Sequence, residues 1–256
     1  MKQIILSALE MFPLIRSGDD LSEIVFTSLL HNQVDIQDGD VLILAQKIVS
    51  KAEGRLQNLS IISPGEKALE LSRITGKDPR FVELVLQESH TVLRAKPGTL
   101  IVEHRLGFIC ANAGIDHSNV DGEVSTTDDW VLLLPENPEE SAFRIRQDLQ
   151  KMTGKVIGVM IIDSHGRPWR MGVVGVTIGY SGIPGLVDMR GKKDLFGYEL
   201  KITQIAAADE LAASASLLMG QADESRPVIH ARGFPYALRE STFKDLIRPV
   251  DQDLFR

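Results

Sequence analysis

Four short stretches of the chain combine residue types that can do chemistry. In "VIGVMIIDSHGRPWRMG" an apolar run reads as a buried strand that ends at Asp163-Ser164, followed by a Gly-Arg-Pro-Trp-Arg turn. Ligands collect where strands end, because the backbone turns outward there. A carboxylate beside a hydroxyl offers two hard oxygens, the donors that magnesium and manganese take. An Asp at the start of a turn can equally be a cap, and that reading stands beside the first. In "GFICANAGIDHSNV" a strand runs into Ala113-Gly114, with Asp116 and Asn119 three apart. Both can face one ligand from a turn, although Asx turns have the same signature. Carboxylates from two separate segments, Asp116 and Asp163, can share one divalent ion.

The third stretch carries charge. Between His165 and Lys193 lie Arg167, Arg170, Arg190, Lys192 and Lys193, opposed only by Asp188. Glycines are dense there, and flexible backbone with cations suits phosphate, while a solvated basic loop is the plainer alternative. Lys47, Lys51 and Arg55 flank the end of a second apolar run, with Lys51 a candidate phosphate clamp. In the fourth stretch, "LMGQADESRP", a helix is expected to stop at Met219-Gly220, and Gln221, Ala222, Asp223 and Glu224 follow. Gly220 reads as a C-cap, and the acidic residues after it can hold a metal or a ribose.

Other chemistries are absent by motif. No G-x-x-x-x-G-K-[ST] loop, no G-x-G-x-x-G after a strand and no G-x-S-x-G elbow occurs. The six histidines show no H-x-x-x-H spacing, and each reads as a surface or hydrogen-bonded residue. Cys110, the only cysteine, sits in an apolar run and reads as a small buried hydrophobe. The 256 residues are 43% hydrophobic and 25% charged, enough to bury a core. A net charge of −7 gives no global attraction to nucleic acid or an anionic membrane. No apolar stretch approaches the roughly 20 residues of a membrane span, and the N-terminus lacks a signal-peptide pattern. The expectation is a soluble cytoplasmic protein.

The elements that must position these residues are short and mixed. Strands are expected at Gln3–Leu9, Val41 to about Val49, Thr91–Ala95, Thr99–His104, Gly107–Ala111, Trp130–Leu134, Lys155–Ile162, Gly172–Gly179 and Pro227–Ala231. Asp20-Leu-Ser-Glu23 is a capping-box pattern opening a helix to about Leu30. Further helices are expected near Pro64–Thr75, Asp78–Glu88, from Pro138 to the stop at Gly154, over Thr203–Met219, and at Thr242–Ile247. Several strands lie too close together for βαβ crossovers, so the fold class is α+β with mixed or antiparallel sheets. The chain reads as one module, 1–256, with an inserted subdomain conceivable at about 85–150 within a nucleotide- and metal-binding part formed by 1–84 and 151–256. Residue chemistry alone leads to phosphoryl transfer or nucleotide-driven ligation at a metal and phosphate site.

At these same motifs the sequence resembles the coenzyme F420-0:L-glutamate ligase family. The stretches "DGDVLILAQKIVSKAEGR", "GFICANAGIDHSNV", "VIGVMIIDSHGRPWRMGVVGVTIGYSGI", "RGKKDLFGYEL" and "AADELAASASLLMGQADESRPV" carry the resemblance, in the family's order. It implies a family-specific α+β fold of two intertwined subdomains, without a P-loop or Rossmann unit, in a homodimer. It implies a GTP- and divalent-metal-dependent amide ligase with two magnesium or manganese ions, and allows a monovalent cation such as potassium. Asp116 and Asp163 would hold one metal, Ser164 and Gln221 a second. The family often has Thr and Glu at these last two positions, so the second ion is expected to bind more weakly here. GTP would meet the Phe12-Pro13-Leu14-Ile15 turn, Gln46, Lys51, Asn119 and the loop Met219, Gly220, Gln221, Ala222, Asp223 and Glu224. Ending at Arg256, the chain is expected to be the stand-alone form, lacking the C-terminal flavin domain of some bacterial relatives. The partners would be GTP, L-glutamate and the deazaflavin coenzyme. Arg167, Arg170, Arg190 and Lys192 are assigned to the acceptor or glutamate on charge alone. A ligase with another acceptor or amino acid, a metal-dependent GTP phosphohydrolase and a nucleotide sensor remain as alternatives.

Overall fold

The structure, a computed structural model, describes residues 2–120 and 129–254. It is an α+β molecule with several sheets. Its centre is a five-stranded sheet built from β1 (Ile5–Ala8), β2 (Val41–Ala45), β8 (Gly158–Arg167), β9 (Arg170–Ser181) and β12 (Val228–Arg232), in the order β1-β12-β2-β8-β9. Only β2 and β8 pair in parallel, and the other neighbours are antiparallel. Strand β2, VLILA, has both faces covered, which is why its sequence does not alternate.

Helices pack on both faces. On one side lie α1 (Leu21–His31) and α5 (Pro138–Thr153), whose Val25, Leu29, Ala142, Ile145 and Leu149 meet Leu42, Leu44, Val159 and Ile161. Asp20 caps α1 by accepting from the backbone N–H of Ser22 and Glu23. On the other side α6 (Ala207–Met219) sets Ala208, Leu211, Ala212 and Ala215 against Val41, Ile43, Met160 and Ile162. Gly175 permits this approach, since a Cβ there would lie 2.6 Å from the carbonyl oxygen of Ala212. Part of the glycine density between residues 166 and 191 thus serves helix packing.

A second core gathers buried residues from 59–115 and 131–133. It holds α3 (Glu66–Thr75) and α4 (Pro79–Gln87) against a three-stranded sheet of β4 (Ser89–Lys96), β5 (Thr99–His104) and β6 (Ile109–Ala111). Two small ribbons complete the fold, β3 (Leu56–Asn58) with β7 (Trp130–Leu132) and β10 (Val187–Asp188) with β11 (Gln204–Ile205). Arg55 bolts the two cores together, donating to the Leu134 carbonyl (2.9 Å) and to the Glu88 carboxylate (3.0 Å). Phe108 packs against all three clusters of buried apolar residues. Helices α3 and α4 pack in the second core and α5 in the first.

Three expectations are corrected. The run from Val41 to Val49 is not one strand: it turns at Ala45 into α2 (Gln46–Ala52), where Ser50 Oγ donates to Gln46 Oε1 one helical turn back. The β-branched Ile48-Val49 pair imitates a strand, and tertiary packing overrides that preference. Strand β8 does not end at Asp163 but runs on through Arg167, pairing Asp163 with Val176 and Arg167 with Arg170. The chain reverses only at Pro168-Trp169, where Trp169 takes a left-handed φ of 62°. Thr242–Ile247 forms a single 3-10 turn over Phe243–Leu246.

Candidate functional site

Strands β1, β2 and β8 point the same way, so the segments that leave them emerge at one end of the central sheet. Leu9 follows β1 there and donates to the Val228 carbonyl (3.0 Å), while Ala45 donates to that of Pro227 (2.8 Å). The N-terminal turn, α2, the second half of β8 and the loop that enters β12 therefore share one region. Open sheets place ligands at such strand ends.

Asp116 is the centre of this region. The turn before it is formed by Asn112, Ala113 and Gly114, all at positive φ, and Asp116 itself exchanges two backbone hydrogen bonds with Leu132. The second core thereby fixes its backbone. Its Oδ2 accepts from Gln46 Nε2 at 2.7 Å and lies 3.3 Å from Lys47 Nζ. Gln46 is itself buried, and the Ser50 hydroxyl fixes its amide. Burial pushes the Asp116 carboxyl up to about 6, the Asp163 charge adds to that, and Lys47 opposes it. Lys47 also donates to the carbonyl (3.0 Å) and hydroxyl (2.9 Å) of Ser118.

Asp163 lies on β8. Burial alternates along this part of the strand, so Asp163, His165 and Arg167 share one face and Ser164 the other. Asp163 and Ser164 therefore do not present their side-chain oxygens to one point. Ser164 is opposite Gly175, on the α6 side of the sheet. His165 Nε2 lies 2.9 Å from Asp163 Oδ2, with both side chains largely shielded.

Two of the expected nucleotide-binding segments meet directly, since Asn119 Nδ2 donates to the Ala222 carbonyl at 3.0 Å. The loop after α6 is stiffened from within. The Glu224 carboxylate accepts from the Ala222 N–H (2.8 Å), and backbone N–H groups hold it below its usual range. Gly220, with φ +74°, makes room, because a Cβ there would fall 2.0 Å from the Glu224 carboxyl carbon. Met219 is half-buried, and Gln221, Ala222, Asp223 and Glu224 face solvent.

The other expected residues are placed as follows. Phe12 and Ile15 point into the first core, leaving Pro13 and Leu14 exposed. Lys51 stands in the last turn of α2. Arg167 and Arg170 face each other at the far end of the β8–β9 hairpin, ~13 Å of strand beyond Asp163. Arg190 is engaged by Asp188, donating through Nε at 2.9 Å. A cavity of about 460 Å³ lies against α1, touching the N-terminal turn through Met11 and Pro13 but not the two aspartates. Sequence reasoning passed over Ser118, and it read His165 as a surface or hydrogen-bonded residue without naming Asp163 as its partner. The Asp-Ser-His spacing was the available signal, since residues two apart share a strand face.

The class of protein is set by comparison. Residues 11–233 match the family described as F420-0:Gamma-glutamyl ligase. The chain belongs to this family of ligase enzymes. It is 44% identical to the coenzyme F420:L-glutamate ligase of Methanothermobacter thermautotrophicus, over 99% of both chains. It is 43% identical to the protein of that name from Methanocaldococcus jannaschii, over 95% of this chain and 94% of the relative. With that of Methanopyrus kandleri it shares 44% identity over 94% of this chain and 93% of the relative. Among the described residues no helix is long and apolar enough to cross a membrane.

Proposed function

We propose that this protein joins L-glutamate, in γ-linkage, to the deazaflavin coenzyme F420-0 with the consumption of GTP. Near-full-length similarity to relatives bearing the ligase name carries this reading. A carboxylate is a poor electrophile and needs activation. The acceptor's carboxylate oxygen attacks the γ-phosphorus, and the bond to the β,γ-bridging oxygen breaks, with GDP leaving. The glutamate amine then attacks the acyl carbon and loses a proton, and phosphate departs as the amide forms. The reaction asks the protein mainly for positioning and charge stabilisation.

Two carboxylates in a shielded corner, with Asp116 driven up partly by Asp163, form a donor pair that a divalent cation would relieve. Among the described residues no cluster of three or more His, Cys, Asp or Glu stands ready for a metal. A pair of carboxylates suits magnesium or manganese, which bind through one or two carboxylates plus substrate phosphates. Asp116 and Asp163 would hold the first ion. Ser164, on the other face of β8, and Gln221 would hold the second. When bound, such ions neutralise charge on the phosphates. The chain's own groups do the rest: Lys47 and Lys51 supply positive charge beside the phosphates, and Asn119 and the 219–224 loop line the nucleotide. Arg167 and Arg170, out on the hairpin, receive the phosphate-bearing acceptor or glutamate. A second copy of the chain would cover the apolar hairpin tip.

Mass spectrometry of purified protein with GTP, manganese, glutamate and unglutamylated coenzyme tests this. A glutamyl adduct that disappears when GTP or glutamate is omitted is expected. Phosphate release without an adduct, independent of glutamate, would replace the ligase by a hydrolase.

A further inference from the structure

Among the described residues the Asp163 carboxylate takes its one side-chain hydrogen bond from a neighbour on its own strand. His165, two residues on and on the same strand face, places Nε2 2.9 Å from Asp163 Oδ2. The two side chains are only 12% and 14% exposed, so water competes weakly for this bond. The imidazole is braced in turn. Phe108 packs on it with ring centres 5.4 Å apart, and Phe108 is itself held by a parallel stack on His104 (5.2 Å) and an edge contact with Phe243 (6.0 Å). This ring stack reaches from the interior to the carboxylate.

We propose that His165 is the positioning residue for Asp163: its N–H occupies Oδ2 and presents Oδ1 to the cation shared with Asp116. The proposal rests on the two-carboxylate reading given above. Hydrogen-bond partners of a ligating carboxylate typically set metal affinity by 10–100-fold. No acid–base role is assigned to the imidazole.

The test uses the full chain and Mn²⁺ alone, with free Mn²⁺ followed by electron paramagnetic resonance. His165→Phe keeps a ring against Phe108 but removes the donor. His165→Gln keeps a donor. The expected result is that His165→Phe weakens Mn²⁺ binding roughly 10–100-fold, that His165→Gln recovers much of it, and that both keep the metal-free Tm. In turnover, the Mn²⁺ concentration for half-maximal rate rises in step for His165→Phe, while KM for glutamate holds. Wild-type affinity in His165→Phe would overturn the proposal. So would a loss of affinity matched by a fall in Tm in both variants, which would make His165 structural. If the wild-type protein binds Mn²⁺ no better than Asp163→Ala does, the two-carboxylate reading itself falls, and the outcomes are thereby separable.

Discussion

Asp116 and Asp163 come from different segments, and what links them is the Asp163 charge felt at the shielded Asp116 carboxyl. Removing one should therefore act on ligand chemistry and not on folding. Asp163→Ala is expected to abolish metal-dependent turnover while Tm and oligomeric state stay as they are; a variant active with Mn²⁺ would remove Asp163 from the site. His104 illustrates the opposite use of burial. It is fully buried, its Nε2 has no hydrogen-bond partner among the described residues, and Glu88 at 3.8 Å is too far to provide one. Burial, with Arg105 and Arg55 nearby, drives it down to about 3. The unfolded chain, near the ordinary 6.5, then binds the extra proton between those values, so this group makes stability rise with pH from about 3 to 6.5. His104→Phe, which preserves the stack on Phe108, should flatten the loss of stability from pH 7 down to 4.5. Urea melts at the two pH values measure this, and an equal loss in both proteins would refute it.

Elements decide which residues of a motif act together. Glutamine and lysine in "AQKIVSK" face Asp116 because α2 starts at Gln46; on a continued strand, neighbours 46 and 47 would have diverged. Strand β8 does the converse, separating Asp163 from Ser164 by continuing where a turn was expected. The loop after α6 depends on one backbone conformation. Gly220 holds φ +74° and ψ −173°, a region essentially reserved for glycine, and sits against the Glu224 carboxyl. Gly220→Ala is expected to cost about 1–3 kcal/mol locally and displace Glu224. GTP affinity should then fall with little change in global Tm. Calorimetric titration of GTP checks this, and an unchanged affinity would detach the loop from the nucleotide.

Across the whole molecule, three cores meet at Phe108, and that junction lies one ring away from His165. Core packing and site geometry thus meet at this side chain. The outer surface carries a second message. Trp169 (89% exposed), Met171 (96%), Leu195 (97%) and Phe196 (95%) stand out in solvent on the β8–β9 hairpin and the 187–205 region. Exposed apolar groups of this size are what an interaction surface is made from. A dimer is expected in sedimentation equilibrium. Met171→Glu with Phe196→Glu should shift it to monomer, and a wild-type monomer at micromolar concentration would refute the assignment.

Much was legible in the chain itself. Local signals with strong physics were read correctly: the Asp20 cap, the amphipathic helix stopped at Gly154, the doubly buried run before Asp163, and the strand Thr99–His104. The α+β class followed from strands too close for crossovers; of the candidate site, residue type picked out Asn119 and the 219–224 loop as candidates, and only the fold shows that they touch. Tertiary structure alone decided the rest. The start of α2 goes with a buried Gln46 that is held by Ser50 and bonded to Asp116. The length of β8 depends on β9 being there to pair with it. The partners of each polar side chain depend on contacts such as Lys47–Asp116, 69 residues apart, and Asn119–Ala222, 103 apart. Hydrophobic periodicity and turn chemistry act within a few residues and so are written locally. Hydrogen bonds between distant segments form only once the cores have closed, and no local pattern records them.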